Sequence, residues 1–296
     1  MSADAPRALA DSRSAVSDYV ELTKPRITSM VVLTTLVGFM VGARGPFSPA
    51  VLAATLVGTG LVAAGSSALN MLLERRTDAL MLRTRNRPLP AGRVRPLDVL
   101  AWGLLLTSAG LLVLAWRAGT LPAAVALVTW STYLFLYTPL KTRTSLATVV
   151  GALPGALPPV IGWTAAAGRL EPGAFVLFAI LFLWQIPHFL AIAWIYREDY
   201  ARGGLPMLPV LDPEGRMTGR QAVANSLALA LISLTPAVAG MMGRIYLVGA
   251  VLLGIGFTAV AVYAAVRRTK SAARKLFLAS LVYLTVLSVL LVFDRV

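Results

Sequence analysis

Nine long runs of apolar residues divide the chain: 27–43, 50–73, 97–116, 121–138, 145–167, 173–195, 222–242, 245–266 and 276–293. Each is about as long as the 17–25 residues that a transmembrane helix needs. Most connections between them are short. The two long ones, 73–96 and 196–221, follow the second and sixth runs. The pattern predicts an all-α integral membrane protein with nine spans. It predicts one transmembrane domain over 17–296, behind a flexible tail over 1–16.

Basic residues give the spans a direction. Of the 27 lysines and arginines, 22 lie in the N-terminal segment and in the alternate connections 73–96, 139–144, 196–221 and 267–275. Only Arg44, Arg117, Arg169, Arg244 and Arg295 lie on the other side. Cytoplasmic loops carry the excess of positive charge, so the N-terminus and both long connections are expected to face the cytoplasm. A wrong number of spans would destroy this alternation. Among the acids, only Glu171 and Asp294 fall outside.

Composition agrees with the pattern and removes several chemistries. The chain is 57% hydrophobic and 14% charged, with a mean hydropathy of +0.76, whereas soluble domains carry about 25% charged residues. The net charge of +14 follows from topology and is not read as nucleic-acid binding. The absence of cysteine excludes thiol catalysis, iron–sulfur ligation and thiolate zinc sites. One histidine, His188, excludes a multi-histidine metal site. Residues 1–26 hold Asp4, Asp11, Asp18 and Glu21, which argue against a mitochondrial transit peptide, and no apolar stretch there precedes a cleavage site.

The candidate chemistry gathers at the cytoplasmic feet of spans two and six. Asn70-x-x-x-Glu74-x-x-x-Asp78 uses four-residue steps, which keep an amide and two carboxylates on one helical face. Such a face is costly without a cation, and Mg²⁺ takes one or two carboxylates together with substrate phosphates. Ordinary pairing of the acids with Arg75 and Arg76 is the competing explanation. Arg83, Arg85, Arg87 and Arg93 follow at once; guanidinium forks suit phosphate oxygens, and equally suit anionic lipid heads. The second cluster, Tyr196-Arg197-Glu198-Asp199-Tyr200, has adjacent acids that cannot share a helical face, so one is expected at a metal and the other on an arginine.

His188, in Trp184-Gln185-Ile186-Pro187-His188, is the only ionisable group deep in a span, a position that points to function. Satisfying a local acceptor is the plainer role. Span five holds Gly151, Pro154, Gly155, Pro158, Pro159 and Gly162 and is expected to be broken or kinked. Lys141, in the short connection ahead of it, is a candidate third cation for a diphosphate. Trp102, Trp116, Trp163 and Trp194 near span ends fit an interfacial belt.

Taken together, these residues resemble the UbiA-type intramembrane prenyltransferases, and in detail their protohaem IX farnesyltransferase (haem O synthase) branch. The resemblance runs from about residue 18 to 210. It is carried by Leu22-Thr23-Lys24-Pro25-Arg26, the Asn70–Asp78 ladder, Met81-x-Arg83-Thr84-x-x-Arg87-Pro88-Leu89 and Tyr137-Thr138-x-x-Lys141. It continues through Gly155-Ala156-x-Pro158-Pro159-x-x-Gly162-Trp163, Trp184-Gln185-x-Pro187-His188-Phe189, Asp199-Tyr200 and Gly204-x-Pro206-Met207-Leu208-Pro209. Glu74 stands where many relatives have Asp, and the second cluster has no repeated Asp-x-x-x-Asp.

The resemblance implies a UbiA-type bundle in the bacterial inner membrane that transfers farnesyl from farnesyl diphosphate to a vinyl group of haem b, with Mg²⁺ and membrane lipid around it. Asn70, Glu74, Asp78, Asp199 and Glu198 would organise metal; Arg83, Arg87 and Lys141 would hold diphosphate; His188 would position haem. A haem A synthase or a terminal-oxidase assembly factor would be the implied partner. An aromatic prenyltransferase of quinone synthesis and a non-catalytic transporter are the rival readings. The first expects a second Asp-x-x-x-Asp, and the second gives no reason for acids beside arginines.

Overall fold

The computed structural model describes residues 14–296. The expected tail over 1–16 therefore lies outside the described residues except at its end, where Ala15 and Val16 open a short helix, Ala15–Leu22.

Nine helices among the described residues are long and apolar enough to cross a membrane: Pro25–Gly42, Pro49–Leu80, Pro96–Ala118, Thr120–Leu140, Ala147–Ala167, Pro172–Ile195, Arg216–Val238, Arg244–Arg267 and Lys270–Phe293. They are numbered here as spans one to nine, and they match the nine apolar runs. Some helices outlast their apolar run. Span two continues to Leu80 and span nine begins at Lys270, because Glu, Arg, Lys, Leu and Ala are good helix formers whether or not they lie in lipid. Glu74 and Asp78 consequently sit on span two itself, and not in the loop after it.

Local chemistry marks the boundaries. Pro25, Pro49, Pro96 and Pro172 stand in first turns, where the missing N–H costs nothing. Gly119 alone joins spans three and four, at φ 113°, a conformation that only glycine adopts without strain. Span five is two helices, Ala147–Ala156 and Pro158–Ala167, parted at Leu157 as its prolines predict. In span four, Thr132–Tyr137 is a π-helical turn leading into Thr138; such wide turns re-aim the residues beyond them.

Spans that follow one another in sequence pack together, and span six also meets span nine. Span one closes the arrangement against span two and the second half of span five, with span nine touching it as well. Close backbone approach decides where span one sits. A Cβ on Gly162 would run into the Thr35 and Phe39 main chain, and one on Gly38 into that of Pro159. Small residues at such crossings allow the van der Waals contact that holds helices together in lipid. Spans two and three use the same device, with Gly65 against Gly103 and Gly58 against Gly110.

Candidate active site

The site starts from the polar face of span two. Asn70 and Asp78 are each 1% exposed, and each member of the ladder is met by a donor from a different part of the chain. Lys24 Nζ donates to Asn70 Oδ1 at 2.9 Å, and Asn70 Nδ2 donates to Thr138 Oγ1 at 3.2 Å. Lys141 Nζ donates to Glu74 Oε1 at 2.9 Å. Arg87 Nη1 donates to Asp78 Oδ2 at 2.7 Å, while the Asp78 main-chain carbonyl accepts from Thr84 Oγ1. A cation lies opposite two successive rungs and a third opposite the amide.

Two of these cations owe their positions to special backbone. Lys24 precedes Pro25, which keeps it out of the right-handed helical region, and it takes φ 46°, an uncommon value for a non-glycine residue. The turn aims its ammonium back at span two; burial pushes its pKa down to about 8. Lys141 follows the π-helical turn of span four. Burial is the largest single influence and would lower its pKa too, but the Glu74 carboxylate together with the Tyr137, Tyr200 and Tyr133 hydroxyls outweighs it and holds the pKa well above the ordinary lysine value.

The connection 81–95 is folded and pinned at both ends. At its start, Asp199 Oδ1 accepts from Leu82 N at 3.1 Å and from Arg202 Nη1 at 2.6 Å, while Oδ2 accepts from Arg83 N at 3.1 Å. At its end, Arg93 Nε donates to the buried Asp18 at 2.9 Å. Asp18 belongs to helix Ala15–Leu22, whose Leu22 is buried with Met71, Leu89 and Val99 and whose Tyr19 meets Trp102 edge-on. The N-terminal helix thus straps the arginine-bearing connection onto spans two and three. Arg83 projects between Tyr196 and Tyr200, 5.3 and 5.8 Å from their ring centres.

The expected site residues are not all in one place. Asn70, Glu74, Asp78, Lys141 and Arg87 converge, and Asp199 with Arg83 joins them through the connection. Glu198, expected as a metal ligand, does not: neighbouring residues on a helix point about 100° apart, and Glu198 turns outward to Lys270 Nζ at 3.0 Å. The adjacent acids do split as their spacing requires, but the outer one takes a lysine of span nine where an arginine was expected. His188 lies apart, packed between spans six and nine. Ser280 Oγ–H donates to Phe277 O, so the His188 Nδ1–H donates to Ser280 Oγ at 2.7 Å and Nε2 keeps its lone pair. The Trp184 and Phe277 rings lie 4.6 and 5.0 Å from the imidazole.

Sequence reasoning gave no role to Lys24, Thr138, Arg202 or the strap helix. Lys24 stands in the Leu22–Arg26 motif with no role attached to it; the proline after it is the signal for its turn. Nothing in the spacing connected Asp18 to Arg93.

The donor set suits a hard cation that arrives with a phosphate. Among the described residues, no three carboxylate or imidazole groups gather closely enough to hold a metal alone. Two carboxylates and an amide oxygen on one face, completed by substrate oxygens, are what Mg²⁺ accepts. Lys24, Lys141 and Arg87 would then transfer from the acids to the phosphate oxygens. A carboxylate has about four lone-pair sites, so Asp199 can hold the connection and still face a cation.

Comparison with known proteins places this geometry. The UbiA prenyltransferase family model matches residues 31–286. A relative from Solibacter usitatus, named protoheme IX farnesyltransferase, is 48% identical over 94% of this chain and 98% of its own length. One of the same name from Opitutus terrae is 42% identical over 96% of each. Among solved structures, a UbiA homolog from Archaeoglobus fulgidus bound to DMAPP and Mg²⁺ superposes with a TM-score of 0.69 at 17% identity, over 93% of this chain and 99% of that one. The nine spans share its fold, and the sequence match extends over most of them: the chain belongs to the UbiA prenyltransferase family.

Proposed function

We propose that the protein transfers a farnesyl group from farnesyl diphosphate to a vinyl group of haem b, giving haem O. The observation that carries this reading is the Asn70–Glu74–Asp78 face with Lys24, Lys141 and Arg87 each bonded to one of its members. The names of its relatives, at 41–48% identity, supply the acceptor and the prenyl length.

In this reading Asn70, Glu74, Asp78 and Asp199 would hold Mg²⁺, and Glu198, bonded to Lys270, would stay outside. The ion supplies Lewis-acid stabilisation of the departing diphosphate. Lys24, Lys141, Arg83 and Arg87 orient that diphosphate and receive its developing charge; donors fixed in advance at such a place are the largest contribution that a protein makes to such a step. The farnesyl C–O bond breaks and the allylic cation adds to the vinyl carbon. Water then adds to the resulting cation, and its proton leaves with the diphosphate. The apolar spans keep water from the farnesyl cation until that point. His188, with Nδ1 committed to Ser280, offers Nε2 to the porphyrin, in the way ligating histidines are oriented by their other nitrogen.

The basic-residue bias supports a site on the cytoplasmic side, and the bacterial source of the relatives supports an inner membrane. The product would pass to a haem A synthase or to a terminal oxidase under assembly. Incubating the detergent-purified protein with haem b, farnesyl diphosphate and Mg²⁺, followed by mass analysis of extracted haem, tests the reading. A Mg²⁺-dependent product heavier by one farnesyl group and one hydroxyl is expected. Unchanged haem from a preparation that binds haem would overturn the choice of acceptor.

A further inference from the structure

Spans six to nine leave a second opening on the same side of the bundle as the acids. It is a narrow crevice, open at its mouth, and it shares no lining residue with the site above. Its walls are apolar, from Leu190 and the Trp194 ring on span six round to Ala222 and Leu276 on spans seven and nine.

The mouth is cationic. Arg268 lines it and ends span eight at φ 51°, a left-handed position that glycine usually fills. Arg268 Nε donates to Ala265 O at 3.0 Å and Nη1 to Glu214 O at 3.5 Å. Arg197, 4.9 Å above the centre of the Trp194 ring, reaches Pro213 O at 3.4 Å. Among the described residues, neither arginine forms a salt bridge: Glu198 acts on Arg197 only at longer range and is itself bonded to Lys270, and the nearby Arg216 is paired with Glu214. Beside the mouth, the outer face of span eight is open to lipid, with Val266 71% exposed.

Unpaired guanidiniums above an apolar crevice at a bilayer edge match the two parts of an anionic phospholipid, since phosphate takes the guanidinium fork and a chain takes the apolar wall. We propose that this crevice binds one anionic phospholipid of the surrounding leaflet, its phosphate on Arg268 and Arg197 and the end of an acyl chain between spans six and nine. The proposal is independent of prenyl transfer.

The test is thermal unfolding of the full chain in detergent with added phosphatidylglycerol, phosphatidylcholine or inorganic phosphate. Phosphatidylglycerol is expected to raise the midpoint by several degrees, and the other two to leave it unchanged. Arg268→Gly should lose at least half of that shift while its own midpoint in detergent stays at or above that of the parent, because glycine suits φ 51°. Arg268→Gln provides the same readout without the backbone change. An equal shift with phosphatidylcholine or with phosphate alone would overturn the proposal. So would a full phosphatidylglycerol shift in both variants.

Discussion

The Lys141–Glu74 pair separates two jobs that share one oxygen. At 2.9 Å, with side chains only 19% and 12% exposed, the attraction is about 6 kcal/mol at an effective dielectric of about 20. Removing one partner of a buried pair costs about 3–5 kcal/mol. Lys141→Met should fall at the low end, about 3 kcal/mol, because Lys24 on Asn70 remains as a second cation near Glu74. Its catalytic effect is expected to be larger than its structural one. Losing a fixed positive group at a departing diphosphate lowers kcat about 10²–10³-fold, while Mg²⁺ affinity holds or improves, since Glu74 is released. Glu74→Gln should do the reverse to the metal and weaken it strongly. The assay is a cycle of both single variants and the double variant, read by kcat, by the Mg²⁺ concentration for half activity and by thermal unfolding. The reasoning is refuted if Lys141→Met loses Mg²⁺ as severely as Glu74→Gln does, or if the two stability losses simply add to within about 0.5 kcal/mol.

Other perturbations follow from the same contacts. Asp78→Asn removes the carboxylate under Arg87 but keeps the Thr84 bond, which is to the main chain; turnover should fall more than about 100-fold with normal membrane insertion, measured in isolated membranes. Gly162→Ala forces a methyl into the span-one backbone, an overpacking of about 1–3 kcal/mol that a lowered unfolding midpoint would register. Asp212 is partly buried, which opposes its charge, but bonds from Thr218 N and Oγ1 outweigh that and hold its pKa below the usual carboxylate range. Its contribution to stability is therefore complete above about pH 3.9 and lost as pH falls through the lower folded value. The midpoint gap between the parent and Asp212→Asn, worth about 1 kcal/mol for a helix cap, should be level at pH 5–7 and close in stronger acid.

How much of this was legible in sequence depends on the range of the interaction. The spans were legible because hydrocarbon thickness imposes a length on every apolar run, and the break in span five because its prolines act locally. The Asn70–Asp78 face was legible because helical periodicity is local too. What escaped are contacts that only the closed bundle makes. Asp199 was expected at a metal, and its carboxylate also bonds the main chain of Leu82 and Arg83, more than a hundred residues earlier. His188 stood out as a lone ionisable group, yet its Ser280 partner lies on span nine, where the sequence offered hydropathy alone. Lys24 was visible as a letter in a motif, and its left-handed turn gave it a direction that no pattern encodes.

The sequence order of those contacts bears on how the protein is made. Lys24 leaves the ribosome ahead of span one, so span two reaches the bilayer with a cation already waiting at its polar end. Lys141 arrives two spans later and Asp199 later still, after span six. The carboxylates thus follow positive charge in the order of synthesis, and the partners of the N-terminal strap, Arg93 and Trp102, are made before half of the spans exist. Synthesis halted after span four would leave a nascent bundle with its charges already matched; without Lys24, the first defect would fall on the insertion of span two, long before any finished site could fail.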